Sequence, residues 1–264
     1  MIRTLQWSLP GVDLHGEARG NAPSAIFLHG FGGSCADWHG IWSRLDPAIP
    51  VLGYDLRDFG RSRAHDAAPF AHADDLLALL DREGIERADL IGMSMGGSVA
   101  ARFALDHPDR TGRLVLISTG LIGWDWSEQW RGLWRPMQAL ARAGDREGAK
   151  ALWAAHPLFA TTRDGGAAER LLLEGIARYP GDQWIADHQH PSLPDVERLV
   201  RLACPTLVLS GTLDLPDFRL IADLIEGCVP DVRRVDIEGR GHMLPLEAPG
   251  ACADIIGSFL SRPA

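Results

Sequence analysis

A serine lies between glycines in the run Gly92-Met93-Ser94-Met95-Gly96-Gly97. The run fits G-x-S-x-G, in which a sharp strand-to-helix turn holds a nucleophilic serine in a strained backbone. Glycines two before and two after Ser94 let the flanking strand and helix pack closely. The N-terminus of the following helix favours the negative charge that develops as a hydroxyl attacks a carbonyl. A serine hydroxyl is a weak nucleophile near neutral pH and needs a base. Among the ten histidines, His242 in Gly239-Arg240-Gly241-His242-Met243 best combines a strand-end position with neighbouring glycines. An imidazole base needs a carboxylate that sets its tautomer and stabilises its charged form. Asp214, in Gly211-Thr212-Leu213-Asp214, supplies one in the chain order Ser, Asp, His. Asp217 is the alternative acid, whereas Asp236 and Glu238 lie in or beside a strand.

Acyl transfer also needs two N–H donors aimed at the oxyanion. One expected donor is the backbone N–H of Met95, directly after the nucleophile. The other is the N–H of Phe31 in His29-Gly30-Phe31-Gly32-Gly33-Ser34. Gly30 and its neighbours let this loop approach substrate, and His29 is expected to bond within the loop. A phosphate cradle is excluded, because no Gly-Lys-Ser/Thr follows the glycines.

These residues need a scaffold that brings strand ends to one edge. Short apolar runs at 24–29, 50–55, 88–93, 113–118, 206–210 and 233–237 read as strands. Amphipathic stretches at 71–83, 98–107, 217–228 and 248–260 read as helices between them. The alternation predicts an α/β fold with a mostly parallel central sheet and helices on both faces. Residues 121–190 break the rhythm, with helical patches but no convincing strand. They carry six of the nine tryptophans: Trp124, Trp126, Trp130, Trp134, Trp153 and Trp184. The predicted organisation is a core of residues 1–120 and 191–264 with a helical insertion at 121–190. Trp124 and Trp153 are expected to contact substrate. Arg131, Arg135 and Arg163 would suit a substrate carboxylate, although a solvated helix face is the commoner fate of such residues.

Composition narrows the field. Hydrophobic residues make up 46% of 264, enough for a large core without staples. The net charge of −9 and the absence of a Lys/Arg run argue against a nucleic-acid partner. Cys35, Cys204, Cys228 and Cys252 lack disulfide or metal spacing and read as free thiols. The first ten residues show no signal pattern, and no apolar run reaches membrane-helix length. The expectation is a cytoplasmic protein with no membrane partner, metal or organic cofactor. Oligomeric state is open, a homo-oligomer included.

The chain resembles the α/β-hydrolase superfamily over nearly its whole length. The resemblance rests on Leu28–Ser34, Tyr54-Asp55-Leu56-Arg57-Asp58-Phe59-Gly60-Arg61-Ser62, Gly92–Gly97 and Gly241-His242, in that order. It implies a small esterase, a 3-oxoadipate enol-lactonase, a C–C hydrolase or a menaquinone-pathway synthase-like lyase. The 121–190 insertion resembles the family's cap, and the second motif is structural in the family. Ser94 argues against dehalogenases and many epoxide hydrolases, which carry Asp there. Hydrolysis of a small ester or lactone through an acyl-enzyme is the leading reading. C–C or lyase chemistry with the same triad is the alternative, and a non-catalytic ligand-binding protein a remote one. The run Asp214-Leu215-Pro216-Asp217-Phe218 departs from the family pattern after the acid and keeps Asp217 in play.

Overall fold

In the computed structural model, residues 1–190 and 193–261 are described. The expected return to the core at residue 191 therefore lies outside the described residues. Among the described residues there are nine strands: β1 (Ile2–Leu9), β2 (Val12–Arg19), β3 (Ala25–Leu28), β4 (Val51–Tyr54), β5 (Arg63–Ala64), β6 (Ala88–Met93), β7 (Thr111–Ile117), β8 (Thr206–Gly211) and β9 (Val232–Ile237). They form one sheet in the order β1-β2-β4-β3-β6-β7-β8-β9, with β5 beside β2. Pairing is antiparallel through β1, β2 and β4 and parallel from β4 to β9.

The helices are α1 (His39–Trp42), α2 (His72–Arg82), α3 (Met95–Asp106), α4 (Glu128–Arg142), α5 (Arg146–Ala154), α6 (Ala167–Arg178), α7 (Asp182–Ile185), α8 (Pro216–Cys228), α9 (Leu244–Glu247) and α10 (Pro249–Leu260). Strand periodicity sorts side chains between two core layers. Ile26, Leu28, Leu114 and Leu116 pack on one face with Leu76 and Leu80 of α2, Phe103 of α3 and Ile221 of α8. Their alternates Phe27, Val115 and Ile117 pack on the other with Trp42 of α1 and Ile256 of α10. Every residue of β3, β4 and β8 is buried, which is why these strands read as unbroken apolar runs. Helices α4 to α7 all lie between β7 and β8 in sequence. No helix among the described residues is long and apolar enough to cross a membrane.

Two features differ from the sequence reading. The β1–β2 hairpin was not anticipated, because most of β1 faces solvent and only Trp7 and Leu9 are buried. Its two-residue turn depends on Gly11, at φ +77°. Helix α3 begins at Met95, directly after the serine, rather than at Ser98. Gly96 and Gly97 lie inside the helix, where a β-carbon on Gly96 would meet the backbone of Leu28 and His29.

Candidate active site

The turn from β6 into α3 carries Ser94 at φ +51°, ψ −115°, a conformation that side-chain-bearing residues rarely adopt. Three backbone hydrogen bonds hold it. Ser94 N–H donates to the Ile117 carbonyl at 2.9 Å, and the Ser94 carbonyl accepts from Ser98 and Gly120 N–H at 3.1 Å each. A β-carbon at Gly96 would lie 2.2 Å from the Leu28 carbonyl oxygen, so only glycine lets α3 seat against β3. Such strain costs on the order of 1–3 kcal/mol, and it persists only where the surroundings enforce it.

The loops after β8 and β9 meet at the same sheet edge. A β-carbon on Gly211 would stand 2.2 Å from the Gly241 carbonyl oxygen, so a bare glycine permits the contact. Leu213 N–H donates to the Arg240 carbonyl at 2.8 Å and locks the loops together. Here His242 Nδ1 lies 3.0 Å from both Oδ1 and Oδ2 of Asp214. The two side chains are almost fully buried, and Asp214 Oδ1 also accepts from Leu215 N–H at 2.7 Å. A carboxylate only accepts, so Nδ1 carries a hydrogen, and in the neutral ring that tautomer leaves the lone pair on Nε2. The Phe218 ring packs 4.3 Å from the imidazole.

Asp217 is engaged elsewhere. Its oxygens accept from Trp124 Nε1 at 3.1 Å, Ser127 N–H at 3.0 Å and Ser127 Oγ at 2.6 Å. Burial alone would raise its pKa, but these donors hold it below the usual carboxylate range.

His29 Nδ1 donates to the Gly30 carbonyl at 2.7 Å, and its Nε2 accepts from Leu56 N–H at 2.9 Å. With Gly33 N–H donating to Gly30 at 3.0 Å, this fixes the loop after β3. Among the described residues, the N–H groups of Phe31 and Met95 have no backbone acceptor. Both residues line one cavity with Gly30, Ser94 and His242. Ser94 and His242 share that cavity without a hydrogen bond between them, an arrangement common before substrate binds.

The cavity measures about 350 Å³, and no Lys or Arg among the described residues lines it. Trp126, Trp130 and Trp134, four residues apart, form one wall. Their rings stack at 4.7 Å and 5.8 Å between centroids. Trp134 meets the edge of Phe31 at 4.9 Å. Trp153 lines the cavity; Trp124 does not, and its indole N–H is tied to Asp217. The spacing of four was the signal for Trp130 and Trp134, which share one face of α4, while Trp126 precedes the helix and stacks on Trp130. Arg131 and Arg135 pair with Asp125 and Glu128 along an outer recess. Arg163 donates to the Ala154 and His156 carbonyls at the end of α5.

Residues 23–155, about half the chain, match the family model for the alpha/beta hydrolase fold. The chain belongs to the α/β-hydrolase family. A protein of Caulobacter sp. strain K31, provisionally named carbamate hydrolase RutD, is 28% identical, with 96% of each chain covered. Among solved structures, this α/β-hydrolase resembles the carboxylesterase CesB of Bacillus subtilis, at TM-score 0.82 and 21% identity. That match covers 100% of this chain and 93% of the other. A thermophilic esterase from Thermogutta terrifontis matches at TM-score 0.81 and 25% identity, covering 98% of both chains.

Two other buried groups bear on the chemistry of this α/β-hydrolase. His156, between Trp130 and Trp153, accepts at Nδ1 from Leu158 N–H at 3.0 Å, and its Nε2 has no partner. Burial, with smaller contributions from His242 and Arg163, lowers its pKa to about 4 and keeps it neutral. Elsewhere, His15, Cys35 and Asp55 bring donor atoms within 4.8 Å of one another. Asp55 already accepts from Cys35 and Arg61 N–H at 2.7 and 2.8 Å. The Arg61 guanidinium stands 3.4 Å from His15 Nε2. The cluster thus ties loops together beside the Arg61 cation, which disfavours a metal ion there. All four cysteines are free.

Proposed function

We propose that this α/β-hydrolase is a serine hydrolase that cleaves neutral, apolar carboxylic esters or lactones through an acyl-enzyme. The observation that carries the reading is the Asp214–His242 hydrogen bond behind a cavity that His242 lines together with the strained Ser94. His242 Nε2 takes the Ser94 proton as Oγ attacks the carbonyl carbon. Negative charge collects on the carbonyl oxygen, facing the N–H groups of Phe31 and Met95. Asp214 stabilises the imidazolium. The C–O bond then breaks, and the imidazolium returns its proton to the leaving oxygen. Water, deprotonated by the same histidine, attacks the acyl-enzyme; the bond from the acyl carbon to Ser94 Oγ breaks, Oγ takes the proton back from the imidazolium, and the acid leaves. Oxyanion donors of this kind contribute roughly 2.7–4 kcal/mol each to the chemical step.

Residues 121–190 act in this reading as a cap over the core of 1–120 and 191–264, and their tryptophans select flat or bulky acyl groups. The absence of a lining cation among the described residues bears on the alternatives. The 3-oxoadipate enol lactone and succinyl-cyclohexadiene substrates carry a free carboxylate, which is costly to bury unpaired. A neutral ester avoids that cost. A carbamate is a second candidate, supported by the relative covering 96% of the chain. Its carbonyl needs the same nucleophile and oxyanion donors.

A panel of nitrophenyl esters, lactones and aryl carbamates with purified protein tests the proposal. Turnover of neutral apolar esters that vanishes in Ser94→Ala is expected. Ester hydrolysis that survives Ser94→Ala would refute it.

A further inference from the structure

Glu247, at the end of α9, accepts four hydrogen bonds. Its Oε2 accepts from Gly241 N–H at 2.8 Å, and its Oε1 from Met243 N–H at 3.3 Å. These amides lie immediately before and after His242. Oε1 also accepts from Thr161 Oγ1 at 2.9 Å and Thr162 Oγ1 at 2.6 Å. Both threonines belong to the helical insertion, more than eighty residues away in sequence. Among the described residues no basic side chain within 4 Å pairs with Glu247, so all its partners are neutral donors. Gly241 completes the seat, since a β-carbon there would lie 2.1 Å from Thr161 Oγ1.

We propose that Glu247 is a positioning residue that holds the His242 loop and ties its placement to the seating of the insertion; the proposal rests on the serine-hydrolase reading. Only an acceptor with two oxygens on one planar group can take the amides on both sides of the histidine and the two hydroxyls. A carboxylate does this with charge-assisted bonds. The imidazole is set from two directions: Asp214 fixes the ring at Nδ1, and Glu247 fixes the backbone that carries it. The insertion that walls the cavity and the base that serves it thus share one anchor. Gln at position 247 keeps the shape but presents an NH₂ to groups that are themselves donors.

The test compares wild type, Glu247→Gln and the double variant Thr161→Val/Thr162→Val. Four quantities are read: kcat and KM on a small acetyl ester, the rate of Ser94 phosphonylation, and the low-field proton NMR signal of His242 Nδ1–H. Melting temperature and the stoichiometry of reactive sites report folding. Glu247→Gln is expected to lower kcat and phosphonylation together by about 10–100-fold, the scale of a small misplacement of a catalytic group. KM should stay within about two-fold, and the His242 signal should shift or broaden, since the reacting groups are retained but misaligned. The threonine pair should give a smaller loss of the same kind. Wild-type kcat with an unchanged signal in Glu247→Gln would overturn the proposal. So would a loss explained wholly by fewer reactive sites. If Glu247→Gln does not fold, wild-type kcat in the folded threonine variant overturns it. If wild type itself is not labelled at Ser94, the serine-hydrolase reading fails and the NMR signal alone decides the role of Glu247. A shifted signal supports positioning, and an unshifted one refutes it.

Discussion

Asp217 accepts both the amide and the hydroxyl hydrogen of Ser127, at 3.0 and 2.6 Å, and so anchors the start of α4 to the start of α8. Three residues earlier, Asp214 faces His242 instead. The two acids therefore predict different phenotypes. Asp214→Asn should lower kcat by about 10³–10⁴-fold through the wrong imidazole tautomer while leaving the fold intact. Asp217→Asn should cost about 1 kcal/mol of stability by removing the charge from the acceptor of the Ser127 and Trp124 hydrogen bonds. Its kcat on a small ester should change far less. Steady-state kinetics with urea titration of both variants separates the roles, and reversed phenotypes would exchange them.

The elbow makes a steric prediction. Gly96→Ala places a methyl group 2.2 Å from the Leu28 carbonyl oxygen, with backbone on both sides of the clash. Overpacking of this kind should destabilise by about 3 kcal/mol. Urea midpoints measure it, and an unchanged midpoint would mean that α3 seats less tightly against β3.

The cavity wall makes a substrate prediction. Trp134 touches Phe31, and both line the cavity. Trp134→Ala should raise KM for an aryl ester several-fold and leave an acetyl ester nearly unchanged. An acyl chain with a free carboxylate should be a poorer substrate than its neutral isostere, because no lining cation among the described residues meets it. Competition assays over matched pairs check both, and a preference for the charged chain would contradict this view of the cavity.

His156 supplies a pH term. Its pKa is lowered by burial to about 4, against 6.5 for the free side chain. A depressed pKa contributes stability that is present above 6.5 and lost as pH falls through about 4. Asp195, raised to about 6 by burial, acts in the opposite sense, as do the raised Asp37, Asp75 and Asp89. These groups are common to wild type and His156→Asn, so the difference between the two isolates the histidine. Asn at this position keeps an acceptor for Leu158 N–H. Wild type should lose stability faster than His156→Asn between pH 6.5 and 4, by up to about 1.4 kcal/mol per pH unit. Parallel pH profiles in urea would contradict neutral burial of His156.

Much of this molecule was legible in its sequence where local chemistry decides the structure. Ser94 could be placed because glycines at fixed offsets serve an elbow, and the inner strands because parallel strands covered on both faces are continuously apolar. The hairpin of Ile2–Leu9 and Val12–Arg19 was not legible, since an edge strand with a solvated face carries little apolar signal. Glu247 was not legible because its partners Thr161 and Thr162 are brought to it only by the fold. The place of Trp124 was not legible for a related reason. Its class suggested a cavity wall, but its hydrogen bond to Asp217 turns it into an anchor.

The most direct test of the central claim is labelling with a fluorophosphonate probe, with the adduct mapped by mass spectrometry. One adduct at Ser94 is predicted, absent in Ser94→Ala and strongly slowed in His242→Ala. An adduct elsewhere, or wild-type protein inert both to the probe and to a small acylating reagent that passes the tryptophan wall, would contradict an activated serine at this elbow.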